Sequence, residues 1–186
     1  MPEPDDSYLV EKVLSGNIKA YSGLVEKYQQ QAYNFALYIL RNKEDADEVV
    51  QDAFVKAYKA LKTFRKEARF SSWLLKIIYN TSLTRLRKKR VHMVDINEVH
   101  GEIAGVNSVS AYTDQKDMKK ILDQALSKLS VEERLIVTLY YYNEQSIKEI
   151  AEICDKGSSN VKVILHRSRK KMLSTLNRLG VNEWTT

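Results

Sequence analysis

Ser146-Ile147-Lys148-Glu149-Ile150-Ala151-Glu152-Ile153-Cys154-Asp155-Lys156-Gly157-Ser158-Ser159-Asn160-Val161-Lys162-Val163-Ile164-Leu165-His166-Arg167-Ser168-Arg169-Lys170 is the stretch whose reading decides the fold. Ser146 with Glu149 three residues on has the spacing of a capping box, in which hydroxyl and carboxylate each satisfy a backbone N–H at a helix start. It opens a short helix over Ile147 to Cys154. The apolar steps Val161, Ile164, Leu165, Met172, Leu173 and Leu176 predict a longer helix over Ser159–Leu179. A short capped helix, a tight turn and a longer basic helix is the helix-turn-helix plan, whose second helix enters a DNA major groove. An ordinary helical hairpin with a solvated basic face has the same spacing, and both readings stay open at this level.

Upstream, the same periodicity recurs. Ser130 and Glu133 repeat the capping-box spacing ahead of Leu135, Ile136, Leu139 and Tyr140, and Met118, Ile121, Leu122, Ala125 and Leu129 form a stripe before them. In the first half, helical stripes run through Leu24, Tyr28, Ala32, Phe35 and Ile39, then through Ala46, Val49, Val50, Ala53, Phe54, Ala57, Tyr58 and Leu61. A third runs from Trp73 through Leu74, Ile77, Ile78 and Thr81 to Leu86. The 2 prolines sit at positions 2 and 4 and there are only 6 glycines, so almost nothing punctuates the chain. No sustained period-2 pattern marks a strand. The stretch from about Val91 to Asp114 has no helical stripe and holds Gly101, Gly105, Asn107, Ser108 and Ser110. A structureless run of that length argues for a flexible linker. The expectation is an all-α chain of two small helical domains, residues 1–90 and 115–186, joined by a linker over 91–114.

Composition limits the function. The 186 residues suffice for two small domains, and a hydrophobic fraction of 44% suits a folded chain. No run approaches a membrane-spanning length, and the N-terminal MPEPDDSYLV is acidic without an apolar core, so neither membrane insertion nor secretion is expected. The single cysteine, Cys154, cannot form an internal disulfide and reads as a small core residue, which suits the cytoplasm. His92, His100 and His166 have no metal-ligand spacing and no Gly-rich phosphate loop occurs, so no catalytic role, cofactor, metal or small-molecule substrate is expected.

The net charge of +6 is modest, but the charges are sorted. Between Glu44 and Asp52 lie five acids and no Lys or Arg; between Lys62 and Arg90 lie ten Lys or Arg and one acid, Glu67; between Lys162 and Arg178 lie six and no acid. Basic side chains track phosphates. In the second of these segments Lys66, Arg69, Phe70, Ser71 and Ser72 read as a loop leading into Trp73 and a helix with Lys76, Asn80, Thr84 and Arg87 on one face, ending in a run that includes Lys88. Aromatic rings among cations suit opened or single-stranded DNA, although Phe70 and Trp73 also read as core residues. For Trp73, core packing and base contact weigh equally. On the last helix Ser159, Lys162, Val163, His166 and Lys170 share a face; Ser159, Asn160 and Lys162 are in reach of base edges, whereas Arg167, Arg169, Lys170 and Lys171 suit phosphates. Acids in a first helical turn are favoured by the helix dipole alone. Phosphate would repel such a patch, so the acidic face reads as a protein-docking surface.

With these segments in hand, the chain resembles the bacterial RNA polymerase sigma factors, specifically the small extracytoplasmic-function (ECF) group. Glu44 to Phe54 is similar to the family's region 2.2, Phe64 to Leu74 and on through Asn80 to Arg90 to regions 2.3 and 2.4, Leu129 to Arg134 to the start of region 4.1, and Ser146 to Ile153 with Val161 to Lys170 to region 4.2. The resemblance implies a sigma initiation factor that binds core RNA polymerase, directs it to promoter DNA and assists strand opening. It implies that Asp45, Asp47, Glu48, Gln51 and Asp52 face the polymerase, and that the Lys66–Ser72 loop and the helix from Trp73 to Arg90 serve the minus-ten element. It further implies that the helix carrying Ser158, Ser159, Asn160, Lys162, Val163, His166, Arg167, Arg169 and Lys170 serves the minus-thirty-five element, and that an anti-sigma factor is a further partner. One departure is that the family's turn glycine is replaced by Asp155, with Gly157 two positions on. This leaves open which of Ser158, Ser159 and Asn160 meets bases. A stand-alone helix-turn-helix regulator is the alternative reading, and an interaction adaptor with merely solvated basic faces is a third.

Overall fold

The computed structural model describes the backbone of residues 5–65, 68–94 and 113–181, and the side chains of all of these except 90–94 and 113–119. Lys66 and most of the expected linker, 95–112, therefore lie outside the described residues. Within the described residues the regular elements are helical, without a strand: α1 (Asp6–Leu14), α2 (Ala20–Leu40), α3 (Lys43–Ala60), α4 (Phe70–Val94), α5 (Thr113–Ser127), α6 (Val131–Tyr141), α7 (Ile147–Cys154) and α8 (Ser158–Arg178), with a single 3₁₀ turn at Leu61–Thr63. The chain divides into two compact units, the first holding α1–α4 and the second α5, α6, α8 and most of α7. Helix α1 was not foreseen in the sequence; its buried Leu9, Val10 and Val13 span little more than one turn, too short a stripe to stand out.

In the first unit α2, α3 and α4 pack on one another, with α1 against α2. Arg41 closes α2 in the left-handed conformation, at φ 54°, and Asn42 starts α3 at once, its side-chain oxygen accepting the Asp45 N–H at 2.7 Å. Ala46, Ala53 and Ala57 are fully buried on α3. Their small side chains bring α2 and α4 close, and Phe35, Leu24, Phe70, Leu74, Leu75 and Ile78 fill the core between them.

In the second unit α5 and α6 both pack on α8. The two expected capping boxes are present. Glu133 N–H donates to Ser130 Oγ at 3.2 Å while Ser130 N–H donates to Glu133 Oε2 at 2.9 Å; Glu149 and Ser146 repeat this at 3.3 and 2.8 Å. Val161, Ile164, Leu165 and Ser168 form the buried side of α8. Ser168 is fully covered, and its hydroxyl is satisfied by the Ile164 carbonyl at 2.8 Å.

Candidate nucleic-acid and polymerase interfaces

The α7–α8 turn is Asp155-Lys156-Gly157. Asp155 adopts the left-handed conformation, φ 54° and ψ 52°, that a turn glycine would otherwise supply. Asp enters this region more readily than most L-residues because its short polar side chain bonds locally. Gly157 is extended, φ −72° and ψ 141°, and α8 begins at Ser158, one residue earlier than its apolar pattern suggested. Lys156 also forms an ion pair with Glu132 at the start of α6, so the turn is tied to the helix behind it.

On α8 the structure exposes Ser158, Ser159, Asn160, Lys162, Val163, His166, Arg167, Arg169 and Lys170, so each residue expected to serve the minus-thirty-five element lies at the surface. Val163 is 46% exposed, an apolar side chain held in water among polar neighbours. Two cations on the flanks already have partners. Lys171 Nζ lies 2.7 Å from Glu133 Oε1, and Arg169 Nε donates to the Tyr141 hydroxyl at 2.7 Å. Lys171 is thus a cation that fastens α8 to α6, whereas sequence alone assigned it to phosphate. Burial alone would raise the Glu133 carboxyl, but the bond from Lys171 and the Ser130 backbone N–H outweigh it, and its pKa falls below the ordinary value.

On α4 the exposed residues include Lys76, Asn80, Thr84, Arg87 and Lys88, the first four at steps of four, four and three along one face. Thr84 donates its hydroxyl to the Asn80 carbonyl at 2.9 Å, which satisfies the hydroxyl within the helix. The structure corrects the segment before it. Phe70, Ser71 and Ser72 form the first turn of α4 rather than a loop. Phe70 is 1% exposed and Ser72 is buried, so neither is presented to a base. Phe70 sits in an aromatic cluster, with ring centroids 5.4 Å from Tyr28, 5.7 Å from Phe64 and 5.6 Å from Trp73. Phe64 and Trp73 are 5.3 Å apart. Trp73 is half-buried, one side in that cluster, while Arg69 is exposed just ahead of the helix. Of the two readings open for Phe70, core packing holds, because its ring is buried against Tyr28, Phe64 and Trp73.

On α3 the expected docking residues separate into two groups. Asp47, Glu48, Gln51 and Asp52 are exposed along one ridge. Asp45 is 4% exposed and faces α4. Its Oδ1 accepts from Arg85 Nε at 2.9 Å and its Oδ2 from Lys89, while Arg85 Nη2 also reaches Glu48 Oε2 at 2.7 Å. Burial alone would raise the Asp45 carboxyl; the hydrogen bonds and charges of Lys89 and Arg85 reverse this and lower its pKa. Arg85 is raised in turn, first by its bond to Asp45. Sequence reading placed Asp45 with the docking residues and left Arg85 and Lys89 in an undifferentiated basic run. The pairing between them spans 40 residues of chain, and no local pattern carries it.

Among the described residues no group of three or more His, Cys, Asp or Glu could hold a metal ion, and no helix is long and apolar enough to cross a membrane. The site is therefore one exposed acidic ridge and two exposed basic helix faces.

Comparison with known proteins gives the family of both units. The family described as Sigma-70 region 2 matches residues 24–91, covering most of α2, all of α3 and most of α4, and that described as Sigma-70, region 4 matches residues 119–172, from within α5 through α6 and α7 into α8. The ECF RNA polymerase sigma factor SigM of Mycobacterium tuberculosis is 30% identical over 182 residues, covering 97% of this chain and 90% of the relative. The ECF RNA polymerase sigma factor SigW of Bacillus subtilis is 26% identical over 183 residues, covering 91% and 96%. In fold, the chain is similar to the sigma factor RpoE of Bartonella quintana, solved in complex with the anti-sigma factor NepR, with a TM-score of 0.73 at 23% identity over 86% of this chain and 98% of that one. Both halves match in order and a relative aligns along nearly the whole length, so the chain belongs to the ECF group of RNA polymerase sigma factors.

Proposed function

We propose that this chain is a transcription initiation factor acting in the cytoplasm, with each exposed face assigned to one partner. The ridge of Asp47, Glu48, Gln51 and Asp52 docks on core RNA polymerase. The α4 face of Lys76, Asn80, Thr84 and Arg87, with Arg69 and Lys88 at its ends, follows the minus-ten element as it opens. Ser158, Ser159, Asn160, Lys162, Val163 and His166 on α8 meet the base edges of the minus-thirty-five element, with Arg167, Arg169 and Lys170 on flanking phosphates. Lys66 belongs to the minus-ten set on sequence grounds alone.

The observation that carries the assignment is charge segregation at the surface: one exposed ridge of α3 with no Lys or Arg among its own residues and two exposed cationic helix faces, on two separate units. Phosphate attracts the basic faces and repels the ridge. Asp45, Phe70 and Ser72 leave the contact set and support it from behind: Asp45 holds α4 by its cations, and Phe70 anchors the first turn of α4. Val163 suits a thymine methyl, the apolar feature of the major groove. An anti-sigma factor is proposed as a further partner, since the Bartonella relative has been solved with one.

Run-off transcription with core polymerase on a pool of genomic promoter fragments tests the reading. Defined transcripts should appear only with this chain and vanish with Asp47→Lys, while Asp45→Asn retains polymerase binding. Transcripts that do not depend on the chain, or that survive charge reversal of the ridge, would overturn it.

A further inference from the structure

Helix α8 is fastened to α6 at two points, and the two bonds treat their cations differently. Near the start of α6, Glu133 holds Lys171 through both carboxylate oxygens, at 2.7 and 2.9 Å, so that the positive charge is matched by a negative one. At the end of α6, Arg169 is held by groups that carry no charge. Its Nε donates to the Tyr141 hydroxyl at 2.7 Å, and its guanidinium carbon lies 5.5 Å from the Tyr140 ring centroid and 5.7 Å from that of Tyr141. The two rings stand edge to face, 5.0 Å apart at 79°, and form a corner that receives the cation.

A guanidinium offers five N–H donors in a rigid fork. The bond to Tyr141 occupies the one on Nε and so takes the Nε–Nη edge, leaving the fork of two Nη nitrogens as the edge that can meet two oxygens of a phosphate. Arg169 is exposed and follows Lys162 and His166 at steps of four and three along α8. Tyr141 is itself 52% exposed. An exposed hydroxyl contributes little to the fold by holding an exposed arginine, but it removes a cost of binding, because an arginine ordered in advance has less side-chain freedom to lose on meeting its ligand.

We propose that Tyr141, helped by the Tyr140 ring, is a positioning residue that presents the Arg169 fork to one DNA phosphate beside the face of α8 that meets promoter DNA. The proposal rests on the reading of α8 as a DNA-reading helix. It assigns a role in DNA binding to α6, a helix that need not touch DNA itself, and divides the flank cations of α8 into Lys171, which fastens the helix, and Arg169, which contacts the backbone.

The experiment is a double-mutant cycle on the holoenzyme, using a promoter duplex recovered by run-off transcription and measuring binding across a KCl series. Tyr141→Phe should weaken binding about three- to tenfold, the range set by immobilising one rotamer-rich side chain, with the salt slope unchanged. Arg169→Ala should weaken binding and lower the slope of log K against log [KCl] by about 0.9, one phosphate contact. The double variant should bind no more weakly than Arg169→Ala alone. Tyr141→Phe binding like wild type, or weakening the Arg169→Ala protein by the same factor as wild type, overturns the proposal; the second result marks a general structural role. Lys162→Ala separates the two readings. If it and Arg169→Ala both leave binding untouched, the DNA-reading role of α8 fails; if both weaken binding while Tyr141→Phe is silent, only the positioning role fails.

Discussion

The Asp45 carboxylate, buried beside α4, accepts a hydrogen bond from Arg85 Nε at 2.9 Å and so links the acidic start of α3 to the basic end of α4 across 40 residues of sequence. The same Arg85 reaches the exposed Glu48 at 2.7 Å. One arginine thereby joins the ridge assigned to polymerase with the helix assigned to the minus-ten element, and the acids of the first helical turn of α3 divide by environment: Asp45 faces the protein, Glu44 faces water.

Asp45→Asn should lower the stability of the full chain by about 1–2 kcal/mol in urea unfolding. The loss stays below that of a fully buried pair because both cations remain in contact with water. Asp47→Asn, on the exposed ridge, should leave the midpoint within experimental scatter. Equal midpoints for Asp45→Asn and wild type would remove the structural role given to Asp45.

That contribution should depend on pH with a definite sign. The folded pKa of Asp45 lies below its ordinary value, so its stabilisation is fully present above the unfolded carboxyl pKa and disappears as pH falls through the folded one. The stability gap between wild type and Asp45→Asn should be constant above about pH 5 and narrow below about pH 4. Glu133, shifted in the same direction by Lys171 and Ser130, adds to the acid sensitivity of the second unit. Unfolding curves of both proteins at a series of pH values measure the gap; a gap that widened on acidification would contradict the assignment.

Phe70→Ala should cost about 3–5 kcal/mol, since the ring is 1% exposed among Tyr28, Phe64 and Trp73. Arg69→Ala, at an exposed position in the preceding residue, should leave stability nearly unchanged and weaken opening of promoter DNA. Permanganate footprinting beside thermal denaturation distinguishes the two effects. A Phe70→Ala protein that melted like wild type but failed to open DNA would return the ring to a base-contact role.

At the α7–α8 turn, Asp155→Gly should raise stability by about 0.5–1 kcal/mol, because glycine meets no Cβ penalty at φ 54°. Asp155→Val should lower it, since a β-branched residue is a conformational outlier there. Thermal melts of the three proteins order the series, and any other order would mean that the Asp155 side chain has a bonding role that outweighs its backbone strain.

Much of this protein is written locally. Helix α6 and helix α7 were legible because a Ser-to-Glu capping box and an apolar stripe are contained within about two turns of chain, and the exposed face of α8 followed because its buried residues recur with the helix period. The start of α4 is less legible for the same reason: Arg69, Phe70, Ser71 and Ser72 read as a loop leading into Trp73 until Tyr28, from another helix, completes the cluster around Phe70. The sequence by itself determined that the chain is helical, where α6 and α7 are capped, and which of its segments carry which sign of charge, since these depend on neighbours three or four residues away. Only the tertiary structure decided that Asp45 faces Arg85 and Lys89, that Phe70 is core, and that Arg169 is held by Tyr141 while Lys171 is held by Glu133. Each of those partnerships joins residues 28 to 44 positions apart or two different helices, and a partner's identity enters the energy only once packing has brought the two groups together.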